Sequence, residues 1–136
     1  MDKATLRNSY LEKRKNLSRS EYWMLTDALM DQVKLFSWSE YRIVHVFLPI
    51  SKRNEVDTFS ILNYFKENFP GLKIVVPRTD FKNLLMENVL YDHEYTILGR
   101  NKFDIPEPIH GKIIPANQID LVFVPLLAFD KLGNRA

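Results

Sequence analysis

Lys3, Arg7 and Arg14 fall on one line of a helix. At 3.6 residues per turn the second and third lie only about 40° and about 20° around the axis from the first. Tyr10 joins the same stripe. Three cations in one row repel each other, so the arrangement adds nothing to helix stability. It suits either a solvated basic face or a row aimed at the phosphates of a nucleotide, with RNA contact as a third use. Glu55 sits in a polar segment, residues 49–58, that also holds Lys52, Arg53, Asp57 and Thr58. Asp57 has a structural task as the cap of a following helix. Glu55 has none, and a carboxylate there is either solvated or free to accept hydrogen bonds from the amino and ring N–H groups of a heterocycle. Arg78, after Pro77, is placed to pair with a ligand carboxylate or phosphate, or with a surface acid. His45 lies within an apolar run and reads as a hydrogen-bonded core histidine. His93 and His110 stand among polar residues and read as surface groups.

Composition narrows the classes. A length of 136 residues fits one domain. The 46% hydrophobic and 26% charged content excludes a disordered or fibrous chain. A net charge of +2 suits an anionic ligand such as ATP without requiring nucleic acid. The absence of cysteine excludes disulfides, thiolate nucleophiles and zinc–thiolate sites. The three histidines have no short ligand spacing, which argues against a transition metal. The opening Met-Asp-Lys-Ala-Thr lacks the pattern of a signal peptide, and no stretch reaches the ~18 apolar residues needed to span a bilayer. The expectation is a cytoplasmic protein.

These side chains need elements to hold them. The spacing predicts a basic helix over residues 3–16. The capping-box signature Ser18-Arg19-Ser20-Glu21 predicts a second helix, with Tyr22, Leu25, Leu29, Val33 and Phe36 on its buried stripe. Residues 42–48 are apolar and rich in β-branched types, as in a strand buried on both faces. A helix then begins after Asp57 with Ile61, Leu62, Phe65 and Phe69 inward, and Pro70-Gly71 ends it. Residues 73–76 form a second strand stopped by Pro77. Strand, helix and strand make a βαβ unit and hence a parallel sheet. Further strands are expected over residues 84–91, 95–98 and 121–124, with 101–115 an irregular, proline-bearing connection. The fold class is α/β: an open, mostly parallel sheet flanked by helices, three-layered and Rossmann-like. In such a sheet ligands bind beyond the carboxyl ends of the strands.

Three segments together resemble one family. Lys3-Ala4-Thr5-Leu6-Arg7 with Leu11, Lys13, Arg14, Leu17 and Ser18 is similar to the K-x-x-L-R…L-x-[RK]-R-x-x-L-S start of the 5-formyltetrahydrofolate cyclo-ligases. Phe47-Leu48-Pro49 with Glu55-Val56-Asp57-Thr58 resembles their strand and E-[IV]-[DE]-T segment. Asp120 to Pro125, Ala128-Phe129-Asp130 and Gly133-Asn134-Arg135 resemble their D-L-[IV]-x-[VM]-P-x-L-[AG]-F-D-x-x-G-x-R signature. Val76-Pro77-Arg78 and Ile105-Pro106-Glu107-Pro108 match in order. The resemblance implies ATP-driven, Mg2+-dependent closure of 5-formyltetrahydrofolate (folinic acid) to 5,10-methenyltetrahydrofolate, with ADP and phosphate as products. It implies that Lys3, Arg7 and Arg135 hold the phosphates of ATP, and that Glu55 and Leu48 hold the folate.

Two departures stand out. Leu126 occupies a position that is Gly in many members. The family continues past the arginine with G-x-G-x-G-[YF]-[YF]-D-R, whereas here Arg135 is followed by Ala136. The expectation is one domain over 1–136, incomplete at its C-terminus. The family's acidic Mg2+ residue falls in the absent segment, so no metal ligand is expected in this chain. Rival expectations are a catalytically inactive nucleotide- or folate-binding α/β module and an RNA-associated domain.

Overall fold

Local capping chemistry starts the first two helices. The computed structural model of the protein describes residues 2–136, apart from the side chain of Ser51. Helix α1 spans Lys3–Lys15, and Asp2 caps it by accepting from the Thr5 N–H at 2.7 Å. Helix α2 spans Arg19–Val33. Its capping box is formed, with Ser18 Oγ accepting from Glu21 N–H at 3.1 Å and Glu21 Oε1 accepting from Ser18 N–H at 3.0 Å. Two members of the expected α2 stripe face outward: Leu25 and Phe36 are exposed, while Val33 is buried. Helical spacing names a face, but only part of that face is covered, by α3 and the Trp38 turn.

Strand β1 (Ile43–His45), helix α3 (Thr58–Asn68) and strand β2 (Lys73–Asp80) form the predicted βαβ unit, with β1 and β2 parallel in the register Val44↔Ile74. Asp57 stands at the N-cap of α3 without a side-chain bond to the helix backbone; its carboxylate accepts instead from Ser60 Oγ at 2.8 Å. Ile61, Leu62 and Phe65 of α3 pack with Val44, Val46, Leu48, Ile74, Val76 and Trp38 into the main core. The Trp38 indole N–H donates to the Val33 carbonyl at 2.7 Å and so satisfies one of the acceptors that the end of α2 leaves open.

Strand β2 runs through Pro77 rather than ending there. It pairs antiparallel with β3 (Leu85–Tyr91), and Pro77 lies opposite Asn88. The β1 register reaches only Val75, so the missing N–H of Pro77 leaves no bond vacant on that side. Arg78 is therefore within a strand, not beyond one. Its Nε and Nη2 engage Glu87 Oε2 at 2.8 and 2.7 Å, which is the protein-internal pairing rather than a ligand contact. The remaining short strands are β4 (Leu98–Arg100), β5 (Pro106–Pro108) and β6 (Leu121–Val122). β4 begins where the strand expected over 95–98 was to end. β5 lies inside the stretch expected to be irregular, and β4 and β5 pair with each other in a separate two-stranded sheet.

The main sheet has the order β3-β2-β1-β6, with β1 parallel to both β2 and β6. It is a mixed α/β fold with a mostly parallel sheet. Asp120 clasps β6 to β1, its Oδ2 accepting from the Arg42 and Ile43 N–H groups at 2.8 and 2.9 Å. Those two backbone donors, Ile43 first, hold its carboxyl below the usual 3.8. His45 is half-buried, and its Nδ1 is buried with no hydrogen-bond partner, contrary to the bonded histidine expected. Desolvation lowers its pKa, so the ring is neutral at pH 7. His93 is also partly buried, edge-on to Tyr91 at 5.1 Å, rather than fully at the surface. Among the described residues, no helix is long and apolar enough to cross a membrane.

Candidate functional site

The chain runs from β1 into α3 toward β2, while β6 lies on the other flank of β1. The ends of β1 and β6 therefore open a crevice at the point where the sheet's winding divides. Phe47, Arg53, Glu55, Val56 and Thr58 after β1 form one wall, and Phe123, Val124 and Leu126 after β6 form the opposite wall. Arg7, Leu11 and Arg14 of α1 close the third side. The cavity between them measures about 600 Å³. Small-molecule sites commonly hold roughly 300–1,000 Å³.

The Glu55 loop is held at four points. Ile50 N–H donates to Glu55 Oε2 at 3.1 Å, folding the side chain back over its own turn. The Tyr22 hydroxyl donates to the Glu55 carbonyl at 2.7 Å. Burial, followed by the charge of Asp57, raises the Tyr22 phenol above the usual 10.0, so it remains a neutral donor at physiological pH. Asn54, in the left-handed region at φ 51°, donates from Nδ2 to the Arg14 carbonyl at 3.0 Å. Thr58 Oγ1 donates to the Phe47 carbonyl at 2.6 Å. Thus α1, α2 and the segment just after β1 all fix one loop. A carboxylate on a fixed loop is pre-organised for recognition rather than left to wander in solvent.

The structure brings Arg7 and Glu55 onto one cavity. Lys3 and Arg135 are exposed and lie outside its lining. Leu48 is buried, 3% exposed, within the main core, and it too is absent from the lining. Sequence reasoning put Arg14 on the stripe that suits phosphates without assigning it a contact, and gave no ligand role to Arg53, Phe47 or Phe123; all four line the cavity. Arg14 had a visible signal, its place on the Arg7 stripe. The Phe123 wall had none, because it depends on β6 pairing with a strand nearly eighty positions earlier. Three arginines and one glutamate line the cavity, an excess of positive charge that suits a polyphosphate or a polycarboxylate. Among the described residues, no three His, Asp or Glu side chains converge as a metal site.

The comparisons with known proteins agree with one another. The 5-formyltetrahydrofolate cyclo-ligase from Mus musculus is 29% identical over 143 residues, covering 98% of this chain and 67% of the mouse protein. The cyclo-ligase from Haemophilus influenzae is 45% identical over 42 residues, 29% of this chain and 22% of that one. The solved 5,10-methenyltetrahydrofolate synthetase from Aquifex aeolicus superposes with a TM-score of 0.82 at 26% identity, over 99% of this chain and 66% of that one. The Mycoplasma pneumoniae 5,10-methenyltetrahydrofolate synthetase gives a TM-score of 0.66 at 25% identity, over 96% of this chain and 68% of that one. The chain thus spans about two-thirds of the length of its full-coverage relatives. The profile of the 5-formyltetrahydrofolate cyclo-ligase family matches residues 1–136, from end to end, and the chain belongs to that family.

Proposed function

We propose that the protein acts in the ATP-dependent conversion of 5-formyltetrahydrofolate to 5,10-methenyltetrahydrofolate. The observation that carries this reading is the meeting of Arg7 and Glu55 on one cavity at the ends of β1 and β6. In this proposal the formyl oxygen attacks the γ-phosphorus of ATP, and ADP leaves with the electron pair of the broken P–O bond. The folate's N10 nitrogen then adds to the activated formyl carbon and gives up its proton. Phosphate leaves as the imidazoline ring closes. Such chemistry asks mainly for positioning and for neutralising charge on phosphate. Arg7 supplies that charge from α1. Glu55, held by its loop, accepts hydrogen bonds from the N–H edge of the pterin. Lys3 lies one turn before Arg7 on the same stripe, and Arg135 near the segment after β6; both are assigned to the nucleotide in this proposal, as outer contributors to Arg7. Leu48 serves from within the core, under the folate wall. Mg2+ accompanies ATP by family membership, with no step assigned to it among these side chains. A cytoplasmic setting in one-carbon metabolism belongs to the same proposal.

The test is the growth of methenyltetrahydrofolate absorbance. The proposal requires growth that depends on both ATP and 5-formyltetrahydrofolate. Binding of both ligands without product would mark an inactive binding module instead. Glu55→Gln replaces a charged acceptor with a neutral amide, which should weaken 5-formyltetrahydrofolate by about 1–1.5 kcal/mol, roughly tenfold, while sparing ATP. Titration calorimetry on each ligand separately reads this. An equal loss for both ligands would assign Glu55 to loop folding rather than to the folate.

A further inference from the structure

The basic stripe of α1 ends on a side chain that neither the fold nor the proposed reaction uses. Arg14 lies in the last turn of α1 and lines the same cavity as Arg7 and Leu11. Its backbone carbonyl accepts from Asn54, so this end of the helix is fixed against the loop that carries Arg53 and Glu55. Its side chain has no such tie. Nε is buried without a hydrogen-bond partner, and among the described residues no carboxylate forms an ion pair with the guanidinium. A guanidinium cannot shed its charge by losing a proton. Buried donors of this kind are rarely left unmatched unless something else supplies the acceptor.

A helix C-terminus favours cations, and this accounts for Lys13 and Lys15, whose side chains stay in solvent. It does not account for an Nε closed off from water. The one carboxylate on the cavity, Glu55, already has an oxygen engaged by the Ile50 N–H. Among the described residues, therefore, no acceptor for the Arg14 Nε is found.

We propose that Arg14 is a ligand-binding residue that holds an oxyanion of a molecule occupying this cavity, as a second anion anchor about 10 Å along the helix from Arg7. The inference rests on reading the cavity as the site for ATP and 5-formyltetrahydrofolate. Two groups have the required chemistry, a phosphate of the nucleotide and a carboxylate of the folate's glutamyl end. Either presents paired oxygens to the guanidinium fork.

Calorimetric titration of Arg14→Gln and Arg14→Lys with ATP, and separately with 5-formyltetrahydrofolate, decides the matter, with the thermal midpoint of each unliganded variant measured alongside. Arg14→Gln should weaken one ligand by roughly tenfold to a hundredfold, the range of a lost charge-assisted bond. Arg14→Lys should recover only part of this, because an ammonium cannot reproduce the fork. The unliganded midpoint should not fall, since an unpaired buried donor has been removed. A loss confined to ATP identifies the phosphate, and a loss confined to the folate identifies the carboxylate. A loss for both supports the proposal only with an undiminished midpoint; with a lowered midpoint it marks a structural residue and overturns it. Unchanged affinity for both ligands overturns it as well. A wild-type protein that binds neither ligand would bring down the reading of the cavity itself, whereas variants that bind as tightly as a competent wild type bring down the Arg14 inference alone.

Discussion

Trp38→Ala should lower the folding free energy by about 3–5 kcal/mol, the usual loss for truncating a large buried aromatic side chain. Trp38 is 2% exposed and packs between α3, the end of α2 and the segment after β6. Its ring meets Phe65 of α3 edge-on at 4.7 Å, Phe36 at 5.5 Å, Phe123 at 5.7 Å and Tyr41 at 5.9 Å. Alanine would remove those contacts, open a cavity and leave the Val33 carbonyl without its indole donor. The change also reaches function, since Phe123 leans on Trp38 and forms part of the ligand cavity's wall. Urea unfolding followed by circular dichroism measures the loss. A destabilisation below about 1 kcal/mol, typical of a surface change, would show that this cluster is not the centre of the core.

Arg7→Ala is expected to weaken ATP by about 1.5–3 kcal/mol, or roughly tenfold to more than a hundredfold, while leaving stability nearly unchanged. The asymmetry follows from where Arg7 sits. Helix α1 buries none of its residues, and among the described residues Arg7 forms no ion pair, so folding loses little when it goes. It does line the cavity. Lys3→Ala should have a smaller effect, because Lys3 stands outside that lining. Calorimetric titration of ATP into each variant checks both. Unchanged ATP affinity in Arg7→Ala would remove Arg7 from the nucleotide's contacts.

What the sequence made legible was what local chemistry decides. The Ser18–Glu21 capping box and the inward stripe of α3 follow from neighbours a few residues apart and are found in the structure; of the strand expected over residues 42–48 only Ile43–His45 is paired as β1. Pro77 misled, because a proline ends a strand only where its missing N–H was needed. Whether it was needed depends on how far β1 reaches along β2. For Arg78 the ion-pair alternative holds, but its partner Glu87 was not legible, because it becomes adjacent only when the hairpin forms. At the site, Arg7 was visible as a residue without a structural task; Glu55 was read the same way, yet its carboxylate also accepts from the Ile50 N–H and so helps fold its own turn. The enclosure of Arg14 was not visible, since it is created by α1 and the Asn54 loop coming together across forty positions. Nor was the aromatic wall at Phe123, which parallel pairing with β1 places there.

A second cavity, about 390 Å³, lies at the opposite end of the sheet between α3 and the β2–β3 pair, lined by Lys66, Phe69, Tyr91 and His93 among others. Titrating 5-formyltetrahydrofolate into isotope-labelled protein and following backbone amide shifts by NMR sets the two cavities against each other. The account predicts the largest changes at Arg7, Arg14, Glu55, Val56 and Phe123. Changes confined to Lys66, Phe69, Tyr91 and His93, with the Glu55 loop silent, would contradict it.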